Sequence, residues 1–289
     1  MDSTSFDRAA EDGGNIVKLE HVNLTIPDQR LATIFYISGL GLTRDPYVMT
    51  GVDNMWVNVG ESQFHLPTRE PQVFRGCIGL VVPDLAALTS RLRKVSGLLE
   101  GTRFSFSEQG EHVDATCPWG NRIRCHAPDP ARFGTRTLGM PYVEFDVPRA
   151  SAAAIADFYR EILDAPATAS DGMAVVSAGA RQTLRFRETD APSLPYDGHH
   201  MQIYLADFSG PYQRLLARKL VSRETDQHEY RFIDIVDVRD NAVKWQIEHE
   251  VRSMRHPLFG RPLVNRNPAQ SNQRYMPGQD AFREGPIRT

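Results

Sequence analysis

A four-fold internal repeat is the feature of this 289-residue sequence that most restricts how it can fold. Four segments alternate apolar and polar residues as half-buried strands do, and each leads through Pro or Asp into a helical pattern. Shorter strand candidates follow each helix, so the predicted unit is one strand, one helix and two or three further strands. The first strands are predicted at 19–26, 75–82, 140–147 and 199–205, the helices at 29–38, 85–95, 151–163 and 208–220, and the last strands at 62–66, 121–125, 182–186 and 244–251.

The spacing of equivalent positions indicates a duplicated pair of units. In the odd units the step from a first-strand position to the equivalent last-strand position is 44 residues (His21 to His65) and 42 residues (Tyr142 to Leu184). In the even units it is 47 residues (Cys77 to Arg124) and 48 residues (His200 to Glu248). Pro, Gly and Arg cluster at 128–139, as they do in linkers. We therefore predict domains at 18–130 and 139–251, a flexible N-terminus at 1–17, and a basic, proline-containing C-terminal strap and tail at 252–289.

Composition excludes several classes of function. With 33 basic and 36 acidic residues the net charge is −3, which disfavours nucleic-acid and membrane-surface partners. No run of 18 apolar residues occurs, and residues 1–15 are polar and acidic, unlike a secretory signal. The three cysteines, Cys77, Cys117 and Cys125, do not suggest a disulfide framework. We expect a cytoplasmic, soluble protein with a small-molecule substrate, as a monomer or homodimer.

The repeat carries further marks that resemble a known superfamily. One helix ends in Phe35, Tyr36 and 40–42 (LGL), a looser version recurs at Phe158 and Tyr159, and Gly120 precedes Asn121 before a last strand. Over residues 18–251 the chain resembles the vicinal oxygen chelate superfamily, which includes glyoxalase I, bleomycin- and fosfomycin-resistance proteins and extradiol dioxygenases. The resemblance implies an α+β fold in which four βαβββ units form two cup-shaped mixed β-sheets flanked by helices, with metal ligands on the first and last strands of paired units.

At those ligand positions, units 1 and 4 differ from units 2 and 3. The former carry metal-competent groups throughout, whereas the latter include Arg124 and Leu184, which cannot ligate a cation. By the resemblance, units 1 and 4 share a cup that binds a divalent metal, most simply Fe(II), with Zn, Mn or Ni as alternatives, and the other cup holds none. Arg124 and Arg185 could bind an anionic group in that second cup, but we favour their interpretation as solvated side chains. The predicted metal ligands are His21, His65, His200 and Glu248.

Three functions remain open on this evidence. The first is a ring-cleaving dioxygenase for a small phenolic substrate, which resembles the hydroquinone-cleaving enzymes in taking His21, His200 and Glu248 as a two-histidine, one-carboxylate triad. The second is a glyoxalase-like isomerase or lyase, which ligation by His65 would favour; the third is a metal-free binding or resistance protein. Tyr204 and His256 are predicted as catalytic acid–base or hydrogen-bonding groups. The neighbours predicted to face the cup are polar: Asn23, Gln63, Gln202, Tyr204, Gln246 and Glu250.

Overall fold

The computed structural model describes residues 7–48, 52–268, 270, 273, 276, 277, 281 and 282. Over these residues the chain forms strands and short helices in regular alternation. The strands are Ile16–Asn23 (β1), Thr43–Arg44 (β2), Asn54–Val59 (β3), Ser62–Pro67 (β4), Gly76–Val81 (β5), Ser105–Glu108 (β6), His112–Thr116 (β7), Arg122–His126 (β8), Gly139–Pro148 (β9), Ala167–Ser170 (β10), Met173–Ser177 (β11), Thr183–Thr189 (β12), His200–Leu205 (β13), Val221–Asp226 (β14), Glu229–Val236 (β15) and Val243–Ser253 (β16).

The helices follow the first strand of each unit, with one more in the linker. They are Gln29–Ala32 (α1), Leu85–Val95 (α2), Pro130–Phe133 (α3), Ala152–Leu163 (α4) and Ser209–Ala217 (α5). Helix α1 continues as a π-helix over Thr33–Gly39. The carboxylates of Asp28 and Asp84 accept hydrogen bonds from backbone N–H groups at the starts of α1 and α2, which fixes where these helices begin. Together with the strands, these helices confirm each predicted unit as one strand, one helix and three further strands.

The strands assemble into two eight-stranded mixed sheets. The first has the order β14-β15-β16-β13-β1-β4-β3-β2 and the second β10-β11-β12-β9-β5-β8-β7-β6. Units 1 and 4 thus build the first sheet and units 2 and 3 the second, as the asymmetry of the ligand positions predicted. The predicted division at 18–130 and 139–251 describes the duplication in sequence, but neither half forms a sheet alone.

Strand alternation places the apolar side chains of each sheet against the helices. Val22 and Leu24 from unit 1 and Met201 and Ile203 from unit 4 are fully buried on that side. The polar side chains between them point to the concave face. We call the concave face of the first sheet the first cup and that of the second sheet the second cup.

Gln182 joins the two sheets through its buried side-chain amide. Its Oε1 accepts the N–H of Leu19 at 3.2 Å, and its Nε2 donates to the carbonyls of Leu19 at 3.0 Å and Met140 at 2.9 Å. Gln182 thereby connects β1, at the centre of the first sheet, with β9, at the centre of the second.

Two predicted boundaries need correction. Strand β1 begins at Ile16, which is fully buried, and the Asn15 side chain donates to the carbonyls of Leu163 and Asp207, so the segment predicted as flexible is ordered from Asn15 onward. Strand β16 continues to Ser253, so the strap begins two residues later than predicted. Most of the predicted tail lies outside the described residues. In the described part of the chain, no helix is long and apolar enough to cross a membrane.

Candidate metal centre

The first cup brings two histidines and one carboxylate together at its centre. His21 on β1, His200 on β13 and Glu250 on β16 each offer a ligand atom, and these atoms all lie within 4.8 Å of one another. All three residues are buried. The Nε2 of His200 is 3.3 Å from Oε2 of Glu250, and the imidazole centroids of His21 and His200 are 5.9 Å apart. Such a group can hold a cation while leaving part of its coordination sphere open.

Each of these two histidines has a second carboxylate at its other ring nitrogen. Oε2 of Glu20 lies 3.4 Å from Nδ1 of His21, and Oε2 of Glu248 lies 3.5 Å from Nδ1 of His200. A carboxylate at Nδ1 orients the ring and favours the tautomer that leaves Nε2 free for a metal. The Nε2 of His21 is buried and has no hydrogen-bond partner among the described residues.

A register shift in β1 explains why Glu20 and His21 can act together. The pairing of β1 with β13 is irregular between Leu19 and His21, so the usual alternation of side chains is interrupted there. Glu20 is consequently buried beside the cup, where its Oε1 lies 3.5 Å from the Tyr204 hydroxyl. Sequence alternation alone would have assigned Glu20 to the opposite face.

Two arginines connect the carboxylates of the cup. Arg231 on β15 donates to Glu248 at 2.8 Å and to Glu250 at 2.5 Å, and lies 3.1 Å from Glu229. Arg252 on β16 pairs with Glu250 at 2.5 Å and Glu229 at 3.2 Å, and lies 3.6 Å from Glu20. Sequence reasoning missed Arg231 and assigned Arg252 to the strap and not to the cup. Charged residues alternating along a buried strand, as at 248, 250 and 252, are a detectable sign of a polar interior face.

The pKa values of three groups in the first cup lie below their ordinary values, for different reasons. Burial lowers the pKa of His21, and it lowers the pKa of His65 to about 2 with help from the neighbouring His21 and His200. Burial alone would raise the pKa of Glu250, but the hydrogen bond from His200 and the charges of Arg252 and Arg231 hold it well below its usual range. At neutral pH His21 and His65 are thus neutral and Glu250 is ionised, which are the forms that bind metals.

His65 lies beside this group, against an aromatic wall. Its ring stacks on Trp56 with centroids 3.9 Å apart, and its centroid is 5.9 Å from that of His21. Its Nε2 is buried without a hydrogen-bond partner among the described residues, yet it is not one of the three that converge within 4.8 Å.

Solved structures share this architecture. Over 86% of this chain and 91% of its own, a candidate dioxygenase from Bacillus subtilis superposes with a TM-score of 0.56 at 13% identity. Glyoxalase I from Zea mays superposes with a TM-score of 0.56 at 12% identity, over 82% of this chain and 92% of that one. This chain has the fold of the vicinal oxygen chelate superfamily. No protein-family model and no curated protein sequence matches it.

Within the vicinal oxygen chelate fold, strand register shows which residues of the two units are equivalent. In unit 1 His21 pairs with Gln63 and Asn23 with His65; in unit 4 His200 pairs with Glu248 and Gln202 with Glu250. If His21 corresponds to His200, then His65 corresponds to Glu250, two residues beyond the predicted Glu248. Glu248 is more exposed than Glu250 and lies at Nδ1 of His200, and the structure does not bring it into the group of three.

Of the two residues predicted as catalytic, Tyr204 lies under the strap and His256 belongs to the strap itself. Tyr204 is fully buried, and burial raises its pKa well above the usual range, so its hydroxyl stays protonated. The His256 ring centroid is 6.3 Å from that of Tyr204, and Phe259 lies against the same tyrosine at 4.9 Å. Nδ1 of His256 accepts the N–H of Leu258.

The strap is anchored across the edge of the first sheet. Arg261 reaches the fully buried carboxylate of Asp45 at 2.9 Å, and the Asn58 amide donates to the carbonyl of Val264 at 2.8 Å. Asn265 exchanges hydrogen bonds with the backbone of Gly60. The strap therefore packs against the first cup as part of its wall.

Proposed function

We propose that this protein is a metal-dependent enzyme whose first cup holds a non-haem Fe(II) ion and cleaves the ring of a small phenolic substrate with dioxygen. The observation that carries the proposal is the convergence of His21, His200 and Glu250, all buried, with the free Nε2 of His21 facing the group. Two histidines and one carboxylate with open positions form the usual protein site for Fe(II) that reacts with oxygen.

The charge of the first cup supports a dication. Glu20, Glu229, Glu248 and Glu250 form one contact network with Arg231 and Arg252, the only guanidinium groups of the network among the described residues. With neutral imidazoles, the network retains two uncompensated negative charges. Buried charge is costly unless it is paired, and a divalent cation would neutralise this excess.

A ferrous ion bound here would supply a Lewis acid on which a phenolate oxygen and dioxygen meet. The residues around it have separate tasks in this proposal. Glu20 and Glu248 fix the ligand imidazoles, and the stacked pair of His65 and Trp56 offers one outer ring face to an aromatic ring. The protonated Tyr204 hydroxyl, which lies 3.5 Å from Glu20, turns to donate a hydrogen bond to a substrate oxygen.

A glyoxalase-like isomerase or lyase is the second candidate, and His65 favours it. Its buried Nε2 without a partner is suited to a fourth ligand, which would leave a divalent ion such as Zn, Mn or Ni with fewer open positions. The two functions predict different behaviour of His65→Gln. In the dioxygenase the variant keeps its metal, whereas a four-ligand site loses much of its affinity.

Metal analysis followed by an activity screen tests the proposal. Protein loaded anaerobically with Fe(II) is expected to hold close to one ion per chain and to consume oxygen with catechols or hydroquinones, but not with benzene-ring analogues lacking hydroxyls. Binding of Zn, Mn or Ni, with isomerisation of hemithioacetals to α-hydroxy thioesters and no oxygen uptake, would instead support the isomerase. Failure to bind any divalent metal would leave the third possibility, a metal-free binding protein.

We also propose a reducing, cytoplasmic location. Cys77, Cys117 and Cys125 are free thiols in the structure, which is the state expected there.

A further inference from the structure

The second cup is lined by charged residues that are almost completely paired. Adjacent strands place the pairs side by side: Arg124 with Asp114 at 2.7 Å, Arg187 with Glu144 at 2.8 Å, and Arg122 with Asp146. Arg124, interpreted from the sequence as solvated, is thus held in a two-point ion pair with Asp114. Each of the three acids has its own arginine, and these pairs leave the face electrically neutral.

Arg185 is the arginine left over on this face. It lies on β12 opposite Glu144, but Glu144 is engaged by Arg187, and Arg185 makes no ion pair with any described residue. Its guanidinium carbon lies 3.8 Å from the ring centroid of Tyr142, and its Nε donates only to the Thr183 hydroxyl at 3.1 Å. Its side chain is half-buried, and this burial lowers its pKa. A half-buried guanidinium stacked on an aromatic ring still has donors to offer to a ligand.

A second cation, Arg132, is close enough that its charge contributes, after burial, to lowering the pKa of Arg185. Arg132 from α3 lies over the ring of Phe133 at 4.8 Å and forms no ion pair with a described residue. Phe133 contacts His126 with ring centroids 5.1 Å apart, and Nε2 of His126 is 2.9 Å from the Tyr142 hydroxyl. Arg132, Phe133, His126, Tyr142 and Arg185 therefore form one continuous chain of contacts.

His126 reports the positive potential of this cluster. It is buried, and burial together with Arg132, His112, Arg124 and Arg185 lowers its pKa to about 4. Its Nδ1 is buried and has no hydrogen-bond partner in the described part of the chain. Arg185 adds one unbalanced positive charge to an otherwise neutral face, the opposite of the first cup. Arg132 brings a second guanidinium, while the acid of its own helix, Asp129, is engaged by backbone N–H groups.

We propose that the second cup binds a small organic anion, whose carboxylate or phosphate group is held between Arg185 and Arg132 and whose body rests beside Tyr142. Guanidinium groups present planar, forked donors that match both oxyanions. The binding site is independent of the metal proposed for the first cup, since it shares none of the first cup's residues.

Isothermal titration of the full-length protein tests this proposal. The probes are inorganic phosphate and malonate, titrated at constant ionic strength with chloride as the reference anion. We expect at least one of the two probes to saturate one site per chain. Titration with chloride should give no saturable binding heat. Preference for phosphate or for malonate identifies which oxyanion the site takes.

Variants decide whether Arg185 and Arg132 form the site. Loss of a charge-assisted hydrogen bond is expected to weaken binding about tenfold or more in Arg185→Gln and in Arg132→Gln. Arg132 is exposed, so its variant is expected to fold as the parent does, which circular dichroism checks. Arg149→Gln is the matched control, because it removes one exposed arginine that pairs with Asp190 outside this contact chain, and it should bind as the parent does. Equal affinities of all three variants, or no saturable binding of either probe, would overturn the proposal.

Discussion

The strongest test of the metal centre compares Glu250→Gln with Glu248→Gln. Both variants replace one carboxylate on the same strand by an amide of nearly equal size, and both remove one negative charge from the same network. Long-range electrostatic effects on a bound cation are therefore closely matched. Arg231 keeps two carboxylate partners in each variant, so neither change leaves it unpaired.

The magnitudes differ because only Glu250 lies within ligand distance of both histidines. Glu248 touches the outer nitrogen of His200, and loss of such an outer partner typically weakens metal binding about 10- to 100-fold. Glu250→Gln removes a ligand and is expected to exceed that range. A further tenfold difference corresponds to about 1.4 kcal/mol.

An anaerobic Fe(II) titration against a colorimetric chelator measures both affinities, with circular dichroism to show that each variant is folded. Glu248 is the ligand predicted from the sequence, so the comparison also decides between the two assignments. If Glu248→Gln loses the metal as completely as Glu250→Gln, or more so, the structural reasoning is refuted.

Three further predictions concern the framework of the molecule. Gln182→Leu strands the buried N–H of Leu19 and should cost about 1–3 kcal/mol or more, measured by the urea midpoint; Gln109→Leu, at an exposed position, is the control and should change little. Burial would raise the pKa of Asp45, but Arg261 and the N–H groups of Val48 and Tyr47 outweigh it and hold this pKa below its ordinary 3.8. The Asp45 carboxylate therefore stabilises the native state fully above pH 3.8, and progressively less as the pH falls through the lower pKa of the native state. Asp45→Asn should therefore lower the urea midpoint at pH 6, with the gap to the parent narrowing as the pH falls below 3.8; a gap that widens or stays constant below pH 3.8 would contradict the assignment. Separate expression of residues 1–133 and 134–289 should abolish metal binding in each fragment, because His21 lies in one and His200 and Glu250 in the other, and co-expression should restore it if the halves reassociate.

The sequence determined the repeat, and with it much of the fold. Alternation on four strands and the 3.6-residue periodicity of the helices are local properties, so the βαβββ order and the bounds of α2 follow from them directly. The contrast between metal-competent groups in units 1 and 4 and residues such as Arg124 and Leu184 elsewhere also predicted which units share a sheet, because a chelating site needs its donors in one cup.

Tertiary structure decided the register and the pairing of charges. The number of residues between the first and last strands differs between units, 44 in unit 1 and 48 in unit 4 for the positions compared. Residue spacing therefore could not show which position of the last strand lies beside His200. Backbone pairing between β13 and β16 fixes that position and brings Glu250 to the centre of the cup. The irregularity that buries Glu20 and the competition that leaves Arg185 unpaired likewise depend on neighbours distant in sequence. Alternation is encoded residue by residue, whereas ligand distances and charge balance exist only once separate strands are hydrogen-bonded in a particular register.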